Sequence, residues 1–144
     1  MACSDKHIEK VFEMLKGQKG ICFKGGLEAR RITPKIAEGL RGLRIAELWL
    51  ACDYPGALKP LKTSVEILKK AGFTRSHLHS YVLIGDDMAE NESRLRQVYE
   101  IGCMPFAQLY QPRQELLTYK KEWKLFARKW SRPAIIRSMC EKGT

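Results

Sequence analysis

The sequence lacks several patterns that identify common classes of protein. No stretch approaches the roughly 20 consecutive apolar residues that a membrane-spanning helix needs, so no membrane association is expected. The first ten residues, MACSDKHIEK, contain no apolar signal core, which favours a cytoplasmic protein. The five cysteines are an odd number without a CxxC pair, and this favours free thiols in a reducing compartment.

Motifs for several familiar chemistries are also missing. The sequence contains no GxxxxGK[ST] phosphate loop, no GxGxxG turn and no GxSxG nucleophile elbow. His7, His77 and His79 show no metal-ligand spacing, so we predict no metal ligand. The 144 residues make one domain but are too few for a complete TIM barrel, which takes about 250.

The composition is that of a folded domain with an excess of positive charge. Hydrophobic residues make up 44% and charged residues 29% of the chain, and the formal net charge is +10. From Arg113 onward there are nine basic and three acidic residues. A nucleic acid, an acidic protein or merely a solvated surface would fit this basic region.

The spacing of apolar residues predicts helices and strands that alternate along the chain. Thr33 followed by Pro34 is a typical helix start, with Thr33 as the N-cap. The repeat of about 30 residues matches one β/α unit, which predicts an α/β fold with four parallel strands over residues 1–112. The predicted helices cover residues 4–17, 34–40, 57–71 and 88–101, and the predicted strands cover residues 20–24, 44–52, 78–84 and 104–110.

The last part of the chain breaks this alternation. Residues 118–130 have helical spacing with an aromatic stripe at Trp123, Phe126 and Trp130, and a short segment over residues 134–140 follows. The stripe suits either base stacking or packing on the sheet, and the helical spacing favours packing. We therefore predict that residues 113–144 form a basic, aromatic helical extension packed on the same domain.

Polar residues and glycines follow all four predicted strands. Ligands of parallel α/β folds bind at the carboxyl ends of the strands, so these residues form a candidate mouth. Acids, amides and exposed backbone suit a nucleoside-like ligand. Equally, these polar residues could merely cap the strand ends and keep the rim of the barrel in contact with water. The set comprises Gly25, Gly26, Glu28, Arg30, Asp53, Tyr54, Gly85, Asp86, Asp87, Gln108, Tyr110 and Gln111.

Three segments of the chain resemble part of the barrel of radical S-adenosylmethionine (SAM) enzymes. They read ICFKGGLEARRITPKIAEGLRGL, AELWLACDYPGALKPL and HSYVLIGDDMAENESRLRQVYEIGCMPFAQLY. GGLEAR resembles family members whose third strand ends in a Glu/Arg cluster. The last segment resembles the stretch in which an Ile-Gly pair ends a strand and an acidic helix start follows. The resemblance extends over residues 4–110, about three-quarters of the chain.

The resemblance implies an incomplete (β/α) barrel whose strand ends hold SAM beside a [4Fe–4S] cluster. It implies that Glu28 contacts the amino-acid part of SAM and that Asp53 lies near the ribose. Ile84 and Gly85 would flank the adenine, and Gln108 would face the same mouth. Gly25, Gly26 and Arg30 complete the predicted cofactor-binding set, and no catalytic residue is predicted.

The sequence departs from this family at its cluster motif. The CxxxCxxC signature is absent, and the chain begins in what resembles the helix before the family's third strand. Since a cluster needs thiolates held together, we expect no [4Fe–4S] cluster in this chain alone and predict that it is inactive alone. The chain could be one half of a split or truncated enzyme, a half-barrel reused for non-catalytic binding, or a remnant that still folds.

An incomplete barrel also predicts a partner. A half-barrel exposes a sheet edge and an apolar inner face, which another protein surface would cover. We therefore expect either a homo-oligomer or a second chain that completes the barrel. The alternative prediction is a non-catalytic binding protein that meets a protein or nucleic-acid partner through its basic surface.

Overall fold

Four β-strands form one parallel sheet in the order β1-β2-β3-β4. The computed structural model describes residues 5–141. The predicted α/β class and the four parallel strands are confirmed. The strands are β1 (Ile21–Leu27), β2 (Ile45–Ala51), β3 (Leu78–Ile84) and β4 (Met104–Leu109).

Helices connect the strands and follow the last one. Thr33 caps the second helix as predicted, because its hydroxyl accepts a hydrogen bond from the Ile36 N–H at 3.2 Å. Residue 4, where the first helix was predicted to begin, lies outside the described residues. The helices are α1 (Asp5–Leu15), α2 (Pro34–Arg41), α3 (Leu58–Lys70), α4 (Met88–Ile101), α5 (Lys121–Lys129) and α6 (Pro133–Glu141). Within the described range, none of them is long and apolar enough to cross a bilayer.

One face of the sheet is covered by the connecting helices. Right-handed crossovers between strands that are neighbours in both sequence and space place α2, α3 and α4 on the same side. Leu48, Leu50 and Val82 point into this layer and are fully buried, as are Leu61 of α3 and Leu95 of α4. Burying a side chain of this size contributes about 2 kcal/mol, so this interface forms the main core.

The opposite face, here called the open face, carries a cluster of aromatic side chains. The Trp49 ring stacks on the rings of His79 and Tyr81, with centroids 4.7 Å and 4.5 Å away, and meets the edge of Phe106 at 5.7 Å. The indole N–H of Trp49 donates a hydrogen bond to Glu47 Oε2 at 2.8 Å. All five side chains remain partly exposed, so the open face keeps an apolar surface in contact with solvent.

The two glycines after the predicted first strand lie inside the observed one. The prediction ended this strand at Lys24, with Gly25-Gly26 as a turn, but β1 continues to Leu27. The pairing between β1 and β2 shifts between Phe23 and Leu27, which marks an irregular, bulged stretch of the edge strand. A bulge suits residues without side chains, so the pair bends the strand instead of ending it.

The C-terminal helices pack beside β4. Phe126 and Trp130 are buried, so the aromatic stripe faces the protein interior, as its helical spacing favoured. The Ala107 N–H, on the outer edge of β4, donates a hydrogen bond to the Trp130 carbonyl at 3.0 Å. Helix α5 begins at Lys121 instead of residue 118, because Tyr119 belongs to the irregular segment before it. The extension therefore occupies part of the outer edge of the sheet.

Candidate functional site

Two hollows lie side by side at the carboxyl ends of the strands, and both are lined by Asp53. The first, called the β1–β2 hollow, has a cavity volume of about 260 Å³ and is also lined by Glu28, Arg30 and Tyr54. The second, called the Gly85 hollow, has a cavity volume of about 220 Å³. Its other lining residues are Leu83, Ile84, Gly85, Asp86, Arg94, Tyr110, Leu117 and Tyr119.

Arg94 forms part of the wall of the Gly85 hollow and joins the ends of two strands. This α4 residue is only 3% exposed. Its Nη1 donates a hydrogen bond to the Cys52 carbonyl at 3.2 Å, and its Nη2 donates one to the Leu83 carbonyl at 2.7 Å. Its Nε lies 3.4 Å from a carboxylate oxygen of Glu90, which offsets the buried charge. Arg94 therefore fixes the backbone that leads into Asp53 and Gly85.

Asp53 carries the negative charge between the two hollows. Asp53 is an exposed residue, but neighbouring atoms shield part of its carboxyl group from water. This partial burial raises the pKa of Asp53 above its ordinary value, although the positive charge of Arg94 acts in the opposite direction. A carboxylate with incomplete hydration is suited to accepting hydrogen bonds from a ligand.

Gly85 has a backbone conformation that side chains rarely adopt. Its φ is +135°, and its N–H donates a hydrogen bond to the side-chain oxygen of the buried Asn91 at 3.0 Å. The Asn91 amide in turn donates to Asp86 Oδ1 at 3.0 Å. Hydrogen bonds from the Asp87 N–H and from Asn91 hold the pKa of Asp86 below its ordinary value. The turn after β3 is thus held in one geometry.

Residues 110–120, called the cover segment, lie against this turn. Tyr119 Oη donates a hydrogen bond to the Tyr110 carbonyl at 2.6 Å, and the Tyr110 N–H donates one to the Ile84 carbonyl at 2.9 Å. The Gln111 side chain also exchanges two hydrogen bonds with the Leu117 backbone, at 2.9 Å and 2.8 Å. Sequence analysis missed the part played by Tyr119, because no local pattern connects it with Gly85.

The predicted site residues divide between the hollows and the sheet. Glu28, Arg30 and Asp53 come together in the β1–β2 hollow, whereas Asp53, Ile84 and Gly85 line the Gly85 hollow. The remaining three predicted residues line neither hollow. Gly25 and Gly26 are part of β1, and Gln108 is an exposed residue of β4 that pairs with Leu83.

The described cysteines lie in different parts of the fold. Cys22 is exposed on β1, whereas burial raises the pKa of Cys52 to about 11 and that of Cys103 to about 12. Burial also raises the pKa of Cys140, and Cys3 lies outside the described residues. Over residues 5–141, no three His, Cys, Asp or Glu side chains are grouped as metal ligands.

Comparison with protein-family models, with curated proteins and with solved structures found no match to this chain. A functional assignment therefore depends on the fold and on the two hollows.

Proposed function

We propose that this chain is one part of a divided barrel of the radical-SAM type, which binds SAM at its carboxyl edge and is inactive alone. The winding of the sheet supports the proposal. Parallel strands in consecutive order, with their connecting helices on one face, are typical of β/α barrels, whereas doubly wound sheets reverse their strand order. Four strands leave such a barrel incomplete, and the aromatic open face would then be part of its inner wall.

The observation that carries the proposal is the position of Asp53 between the two hollows. In the β1–β2 hollow, Glu28 and Arg30 offer opposite charges to the ammonium and carboxylate groups of an amino acid. The Asp53 carboxylate offers acceptors for ribose hydroxyl groups. On its other side, the Gly85 backbone leaves room for a flat ring once the hollow is open. This order of groups matches the order of the parts of SAM.

The iron–sulfur cluster of the proposed enzyme would belong to a second chain. A second copy of this chain would cover the open face but could not supply the CxxxCxxC ligands, because its sequence lacks them. We therefore propose a different chain that completes the barrel and carries the cysteines. The residues of the present chain would contribute to SAM binding.

Calorimetric titration of the purified chain with SAM tests the binding proposal. We expect saturable binding that is lost in Asp53→Ala and in Glu28→Ala. Glu66→Ala is the control, because Glu66 is an exposed carboxylate on α3, away from both hollows. Heats of dilution alone, or equal binding by all three variants, would refute the SAM site.

The proposed partner has a separate test. The chain is co-purified with a candidate polypeptide that contains CxxxCxxC, and the complex is supplied with iron and sulfide without oxygen. A chemical reductant such as dithionite is then added, because the cluster must receive an electron before it can cleave SAM. The proposal predicts iron–sulfur absorbance and SAM cleavage in the complex, and neither in this chain alone. A stable complex with a reconstituted cluster that leaves SAM intact would contradict the catalytic part of the proposal.

A second candidate function is binding of an acidic protein or a nucleic acid through the C-terminal helices. Most basic side chains of α5 and α6 are exposed, whereas Phe126 and Trp130 are buried, so contact would be electrostatic without base stacking. Titration of a labelled oligonucleotide at several salt concentrations tests this function. Binding should weaken steeply with salt and should decrease in Lys124→Gln/Arg128→Gln, and salt-independent binding would refute it.

A further inference from the structure

We propose that the cover segment is a gate on the Gly85 hollow and that Tyr119 is its latch. In the closed position, the phenol ring of Tyr119 occupies the space that a flat ligand ring needs at Gly85. This inference rests on the proposed SAM site, because the gate controls entry to it. It adds a conformational step in which the chain itself occupies part of its binding site.

The position of Tyr119 shows how closely the segment covers Gly85. A Cβ atom built on Gly85 would lie 2.7 Å from Tyr119 Oη and 3.0 Å from Cε1 of the same ring. Even one added carbon atom therefore has no room above the glycine. A ligand ring that contacts the Gly85 backbone from this side must displace the phenol.

The hydrogen bonds of the segment explain why Tyr119 acts as the latch. The Tyr110 backbone is fixed to β3 through the Ile84 carbonyl, whereas Tyr119 is joined to Tyr110 by its hydroxyl group. If the hydrogen bond from the Tyr119 hydroxyl to the Tyr110 carbonyl breaks, the phenol can leave Gly85. The hydrogen bond from the Tyr110 N–H to the Ile84 carbonyl stays intact. The bonds between Gln111 and Leu117 lie within the segment, so the loop between these residues keeps its shape as it moves.

The rest of the segment is suited to movement. Residues 111–120 contain no helix or strand, and Leu116 is 85% exposed. Local opening is favoured where few apolar contacts are buried. Asp53 and Arg94 line the same hollow as Tyr119, so opening widens the access to a charged hollow.

Tyr119 could instead be a permanent wall that stacks on the bound ring. The two roles make opposite predictions for the removal of the ring. A latch competes with the ligand. Only the open molecules bind the ligand, so removal of the latch raises the open fraction and strengthens the apparent binding. A wall contributes contacts to the ligand, so its removal weakens binding.

The first measurement uses no ligand. Trypsin cleavage after Arg113 is followed in the wild type, in Tyr119→Phe, which loses only the hydroxyl group, and in Tyr119→Ala, which loses the ring. Leu125→Ala is the control, because Leu125 is an exposed residue of α5 that lies outside the cover segment and lines neither hollow. We expect cleavage to be faster by several-fold in Tyr119→Phe and about tenfold in Tyr119→Ala, with no change in the control, because cleavage follows the open population.

The second measurement is SAM affinity in the same four proteins. We expect tighter binding by up to about tenfold in Tyr119→Ala and a smaller gain in Tyr119→Phe. Weaker binding by Tyr119→Ala would overturn the gate and identify Tyr119 as a wall. If none of the four proteins binds SAM, the proposed function fails, and the cleavage rates alone decide the latch. If both Tyr119 variants are cleaved at the wild-type rate, the proposal that Tyr119 is a latch is refuted.

Discussion

Arg94 donates a hydrogen bond from Nη1 to the carbonyl oxygen of Cys52, 42 residues earlier in the chain, at 3.2 Å. The same guanidinium holds the Leu83 carbonyl at 2.7 Å. One buried side chain of α4 therefore fixes the ends of β2 and β3 relative to each other. This arrangement lets Asp53 and Gly85 line a common hollow.

Replacement of Arg94 should destabilise the whole fold. Arg94→Met keeps much of the side-chain volume but leaves the Cys52 and Leu83 carbonyls without these donors. We expect a loss of about 3 kcal/mol in the free energy of unfolding, measured by urea denaturation. Arg137→Met, at an exposed position of α6, should change it by less than about 0.5 kcal/mol. An equally small change in Arg94→Met would contradict the structural role of Arg94.

Gly85 should tolerate substitution poorly. Gly85→Ala forces a side chain into a φ of +135° and against the Tyr119 phenol, and such strain costs about 2 kcal/mol. Gly25→Ala is the control, because a Cβ atom there meets nothing within 4 Å. Thermal denaturation of both variants should show a clear decrease in Tm for Gly85→Ala only, and equal melting temperatures would refute the strain at Gly85.

The C-terminal helices should contribute to the stability of the sheet. Trp130 is fully buried and its carbonyl binds β4, so Trp130→Ala should lower the free energy of unfolding by about 3–5 kcal/mol. Leu125→Ala, at a 54% exposed position of α5, should have little effect. A single unfolding transition in the wild type is also expected, and an extension that unfolds separately at lower denaturant would contradict this packing.

Asp53 should make stability depend on pH in the direction opposite to Asp86. Burial raises the pKa of Asp53, so its stabilising contribution is complete below the ordinary value of about 3.9 and is lost as the pH rises through the folded pKa. Asp53→Asn should therefore gain stability relative to the wild type at about pH 7, and the gain should shrink toward about pH 4. The measurement is the difference in the free energy of unfolding at the two pH values.

Asp86→Asn is the matched comparison. Hydrogen bonds lower the pKa of Asp86, so its contribution is present above the ordinary value and is lost as the pH falls through the folded pKa. This variant should be less stable than the wild type at about pH 7, with a smaller difference at low pH. The same sign of change in Asp53→Asn and Asp86→Asn would contradict the environments described for these two carboxylates.

The sequence predicted best the elements that are defined by local signals. Strand β3 and helix α4 have the predicted bounds, because Asp87 caps the helix and Gly102 ends it with a φ of +117°. The end of β1 was predicted wrongly, because its length depends on pairing with β2 and not on the local preference of Gly25-Gly26 for turns.

The sequence predicts the position of Asp53 at the edge of the sheet but not those of two other residues of the hollows. Asp53 directly follows an apolar strand, so its position at the carboxyl edge follows from the sequence alone. Arg94 resembles a solvent-exposed helix residue, although its spacing from Asn91 and Val98 places it on the buried face. Tyr119 reaches Gly85 only through the path of the cover segment, which no periodic pattern determines.

The bond between Ala107 and the Trp130 carbonyl makes the two edges of the sheet unequal. Strand β4 has part of its outer edge occupied by the chain's own C-terminal region, whereas β1 is the other edge strand. A molecule that gains a neighbour at β1 cannot offer the same full pairing surface at β4. Addition of a strand at β4 is therefore less favourable than addition at β1, which disfavours growth of the sheet into a fibre.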